Sequence, residues 1–233
     1  MNENGHCGSQ KFRKMDKNIS LWLKIKANKT PSSVKIDNDF WKHFKPKDKI
    51  LEVGCGWGRA VRECLKRNLD VVGIDINRNE IRELNRKNLK GAEIKYGDIL
   101  KIKLRKEFNG ALMLGIISAL SKRERARAFK KVNSFLMNGG YIHVSEFEMS
   151  KKFKKRYDND FKITKEYGTL SVKDNGVEVF RSHNFTKTEI FDLIKNGGFK
   201  IVKFKRAEFT SYHKDKKPGM IIIAQKIWMK NVA

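Results

Sequence analysis

The stretch that decides the fold is Ile50-Leu51-Glu52-Val53-Gly54-Cys55-Gly56-Trp57-Gly58-Arg59-Ala60-Val61. A short apolar run ends in glycines at alternate positions, and a helical pattern follows at once. This predicts a buried strand turning sharply into a helix. Glycine tolerates φ > 0 and lets a ligand approach the main chain closely. The helix start adds free N–H groups and the positive end of a dipole. Glu52 places an acid just before the turn. The mouth of this strand is therefore the expected seat of function.

Outward from it, residues 49–54 read as the first strand and 58–68 as the first helix. Val71-Val72-Gly73-Ile74-Asp75 is a second buried strand ending in an acid. Asn77-Arg78-Asn79-Glu80 has the pattern of a capping box and opens a helix. Residues 92–96 form a third strand, followed by Gly97-Asp98-Ile99, and 108–117 a fourth apolar run. Ser121 to Glu124 repeats the capping box and starts a helix through Met137, closed by Gly139-Gly140. Residues 141–147 are a fifth strand. A third capping box, Thr186 to Glu189, opens a helix ended by Gly197-Gly198. Residues 199–207 and 219–226 are the last strands, joined by a loop over 212–218. Alternating strands and helices argue for a mostly parallel sheet covered on both faces. The last two strands have no helix between them, so that pair is expected antiparallel.

Two regions fall outside this rhythm. Residues 1–18 are polar and basic and are expected to be a disordered tail, with a helical segment over 19–47 leading into one domain that runs to 233. In that segment 19–27 and 37–44 read as short helices. Residues 148–184 are polar, basic and irregular, and read as an insertion rather than a linker.

The net charge is +26, which speaks to partners rather than to fold. Lysine bias explains part of it, and an anionic partner such as nucleic acid, an acidic membrane or a phosphate-bearing metabolite fits the remainder. No apolar run is long enough for a transmembrane helix, and the first 20 residues lack the apolar centre of a signal peptide. Peripheral membrane contact stays open. Cys7, Cys55 and Cys64 show no paired spacing, so neither a disulfide framework nor a metal site is expected, and reduced thiols fit a cytoplasmic protein.

Ligands of open parallel sheets bind beyond the carboxyl ends of the strands. Glu52, Asp75 and Asp98 all fall there. Asp75 lies about 20 residues beyond the glycine turn, the distance at which an acid holds a ribose diol. The dinucleotide fingerprint G-x-G-x-x-G nevertheless fails, because position 59 is Arg. What stands is E-x-G-x-G-x-G with acids closing strands two and three.

In these residues the chain resembles the class I S-adenosylmethionine-dependent methyltransferases. LEVGCGWG is similar to their first motif, VVGIDIN to the second and YGDI to the third. The segment FNGALMLGIISALSKRERARAFKKVNSFLMNGGYIHVSEF resembles their fourth strand, next helix and fifth strand, and NFTKTEIFDLIKNGGFKIVKF their last helix and sixth strand. The resemblance spans residues 48–227. It implies a Rossmann-like seven-stranded mixed sheet with an antiparallel last strand, S-adenosylmethionine as cofactor and S-adenosylhomocysteine as product. Carried over position by position, Gly54, Cys55, Gly56 and Gly58 would form the loop beneath the methionine part, organised by Glu52. Asp75 would hold the ribose hydroxyls with Ile76 beside the adenine. Asp98 would accept from the adenine amine, Ile99 would stack on the ring, and Leu114 and Gly115 would offer backbone to the amino-acid end.

The acceptor is less legible. Leu114-Gly115-Ile116-Ile117-Ser118 lacks the [D/N]-P-P-[Y/F] pattern of enzymes that methylate exocyclic base amines, and no Pro-Cys pair suits cytosine-C5 chemistry. His183 and Glu146 are the candidate catalytic bases. His143 reads as packed or outward-facing, and Tyr157 and His213 lie in segments that read as mobile. The leading expectation is methyl transfer to O or N of a small, anionic or neutral, metabolite. An RNA methyltransferase of the wobble-uridine carboxymethyl type stays open, because FRSHNFTKTEI loosely resembles that family and the charge suits RNA. A non-catalytic cofactor-binding protein is the further alternative. The acceptor is expected to be read by 148–184 and by the N-terminal segment, whose aromatics precede the first strand and are placed to fold over the site.

Overall fold

The computed structural model describes residues 17–23 and 34–228. The expected basic tail lies outside the described residues over 1–16, and so does the end of the first expected helix. Helix α1, Lys17–Trp22, starts two residues inside the span read as tail. Helix α2 is the short Asn38–Trp41, capped by the Asp37 carboxylate, which accepts from Asp39 N–H.

The body alternates as the spacing predicts. Strand β1 is Lys49–Val53, α3 Arg59–Leu65, β2 Asp70–Asp75, α4 Arg78–Arg86, β3 Ala92–Tyr96 and β4 Phe108–Leu114. After a helical turn at Ile117–Ala119 come α5, Lys122–Phe135, and β5, Leu136–Phe147. Helix α7 is Lys187–Asn196, followed by β8, Phe199–Thr210, and β9, Lys216–Lys226. Among the described residues, seven strands make one sheet in the order β3-β2-β1-β4-β5-β9-β8. Strands β1 to β5 pair in parallel, and β9 runs antiparallel between β5 and β8. The last strand of the chain is thus the antiparallel one. One core packs α5 and α7 on one face of the sheet through Ala128, Phe129, Val132, Ile190 and Ile194. A second packs α2, α3 and α4 on the other through Phe40, Val61, Cys64, Ile81 and Leu84. With both faces covered, β1 and β2 read as continuous apolar runs rather than alternating ones.

Three readings change. Gly139-Gly140 does not close α5, which ends at Phe135. The glycines lie inside β5, where the register against β4 jumps from Phe108↔Leu136 to Gly110↔Tyr141. A Cβ at Gly140 would meet the Asn109 carbonyl at 2.9 Å, so the pair serves a bulge. The capping boxes also divide. Glu124 returns to Ser121 N–H at 3.1 Å and closes its box. Asn77 and Thr186 each cap their helix from one side only: Glu189 turns to His183, and Glu80 faces Gly56. Finally, 148–184 is not irregular. It holds a helical turn Lys151–Phe153, helix α6, Lys154–Thr164, and an antiparallel hairpin of β6, Thr169–Asp174, and β7, Val177–His183. The hairpin is signalled by its turn, Asn175-Gly176, and by short apolar alternation at Leu170 and Val172 and at Val177 and Val179, but the lysine-rich run at 151–156 dominates the composition of the stretch. Both turn residues take positive φ, 48° and 79°, as a tight hairpin demands. The insertion leaves and returns at one point, where Glu148 bridges Phe185 and Met149 N–H donates to the Phe185 carbonyl at 2.8 Å.

Candidate functional site

The glycine turn is tied to the neighbouring strand. Gly54 and Cys55 N–H both donate to the Ile74 carbonyl, at 2.8 and 3.0 Å. Gly54, Gly56 and Gly58 all take positive φ, 73°, 46° and 73°. At Gly54 a Cβ would lie 2.5 Å from Ile116 Cδ1, so both the dihedral and the contact require glycine. The turn points Gly56 N–H at Asp75 Oδ2, 2.9 Å away, while Asp75 Oδ1 accepts from Asn77 N–H at 2.8 Å. One carboxylate therefore fixes the loops after β1 and β2 together. Burial raises the Asp75 pKa, and the N–H groups of Asn77, Gly56 and Ile76 oppose the shift.

Glu52 lies below the turn, 5% exposed, with Oε2 lacking any hydrogen-bond partner among the described residues. Burial pushes its pKa up to about 8, against the pull of the Arg59 guanidinium and the Val61 N–H. Glu80 faces Gly56, its Oε2 3.1 Å from where a Cβ would sit. Burial and the nearby Asp75 charge push its pKa up to about 7. Asp98 Oδ1 accepts from Leu100 N–H at 2.9 Å, leaving Oδ2 toward Lys101 at 3.5 Å. Gly115, at φ 71°, has nothing within 4 Å of a notional Cβ, so the backbone there borders open space.

These groups line one cavity of about 480 Å³ at the carboxyl ends of β1, β2 and β4. Glu52, Gly54, Cys55, Gly56, Asp75, Ile76, Asp98, Ile99, Leu114 and Gly115 all reach its wall. Gly58 does not. It is the left-handed cap of α3 packed on Leu84, where a Cβ would sit 2.6 Å from Cδ1. Beyond the acids the cavity runs under the insertion, between Leu170, Val172 and Phe180 of the hairpin, Phe147 and Lys217 of the sheet, and Tyr212 of the β8–β9 loop. Trp22 closes it from α1, its ring 4.3 Å from Phe180.

The two expected bases lie elsewhere. Glu146 is buried, and its Oε1 accepts from Ile117 N–H at 2.6 Å and Ser118 N–H at 3.3 Å. Burial pushes its pKa up to about 8. It holds the helical turn after β4, and that turn supplies Ser118 and Ala119 to the wall. His183 points away from the cavity. Its Nε2 meets both Glu189 oxygens at 3.0 and 3.1 Å, and its Nδ1 meets Thr169 Oγ1 at 2.8 Å. Buried Arg125 forks onto Glu166 at 2.7 and 3.1 Å, and Glu166 accepts from Thr169. This network rivets the insertion to α5 and α7. His143 is a buried clamp, accepting from Asp37 N–H at 3.0 Å, with a pKa pushed down to about 4 by burial. Tyr157 is buried with its hydroxyl against Asn184, whereas His213 does line the cavity.

Known proteins match this arrangement. The profile of a family described as a methyltransferase domain matches residues 50–140. A SAM-dependent methyltransferase from Methanosarcina mazei is 30% identical with a TM-score of 0.79, over 84% of this chain and 100% of that one. The chain belongs to the class I S-adenosylmethionine-dependent methyltransferases. An uncharacterized methyltransferase of Alkaliphilus oremlandii (strain OhILAs) is 25% identical over 162 residues, 69% of this chain and 71% of its own length. The 1,6-didemethyltoxoflavin-N1-methyltransferase of Burkholderia thailandensis, solved with that acceptor and S-adenosylhomocysteine, shares the fold at TM-score 0.63 and 16% identity, over 82% and 76% of the two chains.

Several residues of this methyltransferase's cavity carry no signal in sequence. Glu80 reads as a helix cap, and only its distance to Gly56 reveals it. Arg59 flags itself only by breaking the dinucleotide pattern. Trp22, Phe180, Ser211 and Lys217 come from segments remote from the glycine turn, and folding alone brings them together.

Proposed function

We propose that this chain transfers a methyl group from S-adenosylmethionine to an oxygen or nitrogen of a small acceptor held beneath the insertion. The observation that carries this reading is the roof. The β6–β7 hairpin, α6 and Trp22 enclose the far end of the cavity, leaving a chamber for a small molecule rather than an open groove for a polynucleotide.

The residues present suit the cofactor. Asp75 and Asp98 offer acceptor oxygens for a ribose diol and an adenine amine, with Ile76 and Ile99 as apolar neighbours. The glycine turn and Gly115 bring backbone to open space, and the unpartnered Glu52 Oε2 offers a contact to an ammonium or its water. When bound, S-adenosylmethionine supplies an electrophilic methyl carbon on a sulfonium. The chain's own contribution is to orient and to exclude water. Glu146 acts by fixing the turn after β4, and His183 by fixing the insertion; both are positioning residues on this reading.

The test uses methyl-labelled S-adenosylmethionine with a small-molecule extract in one arm and bulk tRNA in the other. Label in the small-molecule fraction is the expected result. Label confined to RNA would replace this reading with the RNA one, and S-adenosylhomocysteine binding without label in either arm would leave a binding protein.

A further inference from the structure

The acceptor end of the cavity is mostly apolar, yet two cations meet there. Lys217 belongs to β9, opposite Phe209 on β8, and is only 7% exposed. A buried ammonium is costly unless it is paired. Among the described residues, no carboxylate lies within 4 Å of its Nζ; the neighbouring Lys216 and Glu208 make their own pair on the outer side. Nζ instead lies 5.3 Å from the centre of the Phe153 ring. Arg156 follows Phe153 by one helical turn, so its guanidinium projects to the same side of α6. The two charges feel each other: burial first, and then Arg156, lower the Lys217 pKa, and the Asp215 carboxylate offsets only part of that.

Arg156 is itself only loosely engaged. Its Nε stands 3.6 Å from Asp160, and its Nη2 3.5 Å from the Ser171 carbonyl, both at or beyond the limit of a hydrogen bond. Asp160 already accepts from Ser171 N–H at 3.1 Å. Two more polar atoms border the same chamber unsatisfied. Ser211 Oγ and Trp22 Nε1 are buried without a hydrogen-bond partner among the described residues. Buried polar groups are nearly always satisfied in native proteins. A lysine, an arginine, a hydroxyl and an indole N–H, all able to donate into one apolar chamber, describe a receptor for an oxyanion.

Resting on the methyltransferase reading above, we infer that the acceptor carries a carboxylate or phosphate group, held between Lys217 and Arg156, on an apolar body packed against Phe147, Phe180 and Tyr212. The anion restores the pairing that the buried ammonium lacks and turns the rest of the acceptor toward the mouth of β1. Lys217 and Arg156 are then specificity residues, and the insertion contributes one of the two charges. A neutral acceptor would leave the Lys217 ammonium without a carboxylate partner and Arg156 with only its long contact to Asp160, and would be rejected, because a site built for a charged group disfavours analogues without it.

The experiment is calorimetry on the full chain saturated with S-adenosylhomocysteine, using benzoate, phenyl phosphate and neutral benzamide as probes. At least one anion should bind ten-fold or more tightly than benzamide, and whichever anion is preferred identifies the group. Lys217→Met and Arg156→Gln should each weaken that anion at least ten-fold. Lys217→Arg should keep it within about three-fold. S-adenosylhomocysteine affinity should stay within two-fold in every variant, which also certifies folding; Arg156, being partly exposed, serves if Lys217→Met does not fold. Equal binding of anion and benzamide, no binding of either anion, or unchanged affinity in the variants would overturn the inference. Failure of the wild-type chain to bind S-adenosylhomocysteine would instead overturn the reading on which it rests.

Discussion

The glycine turn and the insertion face each other across one cavity, but they are built in opposite ways. The turn is local. Within 30 residues, backbone N–H groups, positive-φ glycines and one carboxylate lock each other in place, and its wall is fixed by contacts such as Gly56 N–H to Asp75. The insertion is held from a distance. Its ends meet at Glu148 and Phe185, and its base is pinned by Arg125, Glu166, Glu189, Thr169 and His183, drawn from three helices or their flanks and two strands. The difference matches the tasks. The cofactor end is built from main chain shaped by glycines and from carboxylates close by in sequence. On the proposed reading, the acceptor is served by side chains on an element that can change without disturbing the sheet.

The comparison breaks most sharply at Arg125. Removing its buried guanidinium leaves Glu166 and Glu189 facing each other without a cation. Arg125→Ala should cost about 3 kcal/mol or more in urea unfolding, while S-adenosylhomocysteine binding at saturating folded protein stays close to wild type. A matching loss of cofactor affinity would show that the two halves are one unit.

The buried acids under the turns give a second test, through pH. Glu52 and Glu146 keep a proton in the folded chain up to about pH 8, but only to about 4.3 when unfolded. Their contribution to stability is therefore complete at low pH and is lost as pH rises toward 8. His143 works in the opposite sense, being held neutral down to about 4, but its effect is complete by about pH 6.5. Between pH 6.5 and 8 stability should fall, by up to about 4 kcal/mol from these two acids, with Glu80, raised to about 7, adding to the fall at the lower end of that window. Glu146→Gln should remove roughly half of the two acids' share of that slope; an unchanged slope would mean that Glu146 is ionised in the folded chain.

Asp75 sharpens the comparison from the cofactor side. Asp75→Ala removes an unfavourably buried carboxylate but also the acceptor for Gly56 and Asn77 N–H, so it should cost about 1–2 kcal/mol in urea unfolding. Affinity for S-adenosylhomocysteine should drop by about 10- to 100-fold, or about 1.4 to 2.8 kcal/mol. Unchanged affinity by calorimetry would remove Asp75 from the site. The smallest effect is expected at Thr186, whose hydroxyl caps α7 by accepting from Glu189 N–H at 3.1 Å. Thr186→Ala should cost about 1 kcal/mol in a urea midpoint, since it loosens the helix end that carries Glu189 without removing a charge.

Legibility in the sequence follows the same divide. The strand–turn–helix around Gly54, the acids at 75 and 98 and the order of the strands are readable, because each rests on residues near in sequence whose chemistry suits few other arrangements. The Gly139-Gly140 pair misleads, because glycine serves a helix stop and a strand bulge equally, and only the pairing of Asn109 with its neighbours chooses. His183 reads differently once folded, for a related reason. A histidine beside an insertion looks like a base until Glu189, six residues on, and Thr169, across the hairpin, take both ring nitrogens.

The sequence by itself determined the methyl donor and the topology that presents it. Main-chain turns, period-two and period-3.6 patterning and carboxylates at strand ends are local consequences of covalent geometry. Only the tertiary structure brought the walls of the chamber beneath the insertion together. Trp22, Arg156, Phe180, Ser211 and Lys217 are scattered over nearly 200 positions, and none is informative alone. Burial makes them so: an ammonium or hydroxyl is unremarkable in water and becomes a statement about its ligand once the fold takes the water away.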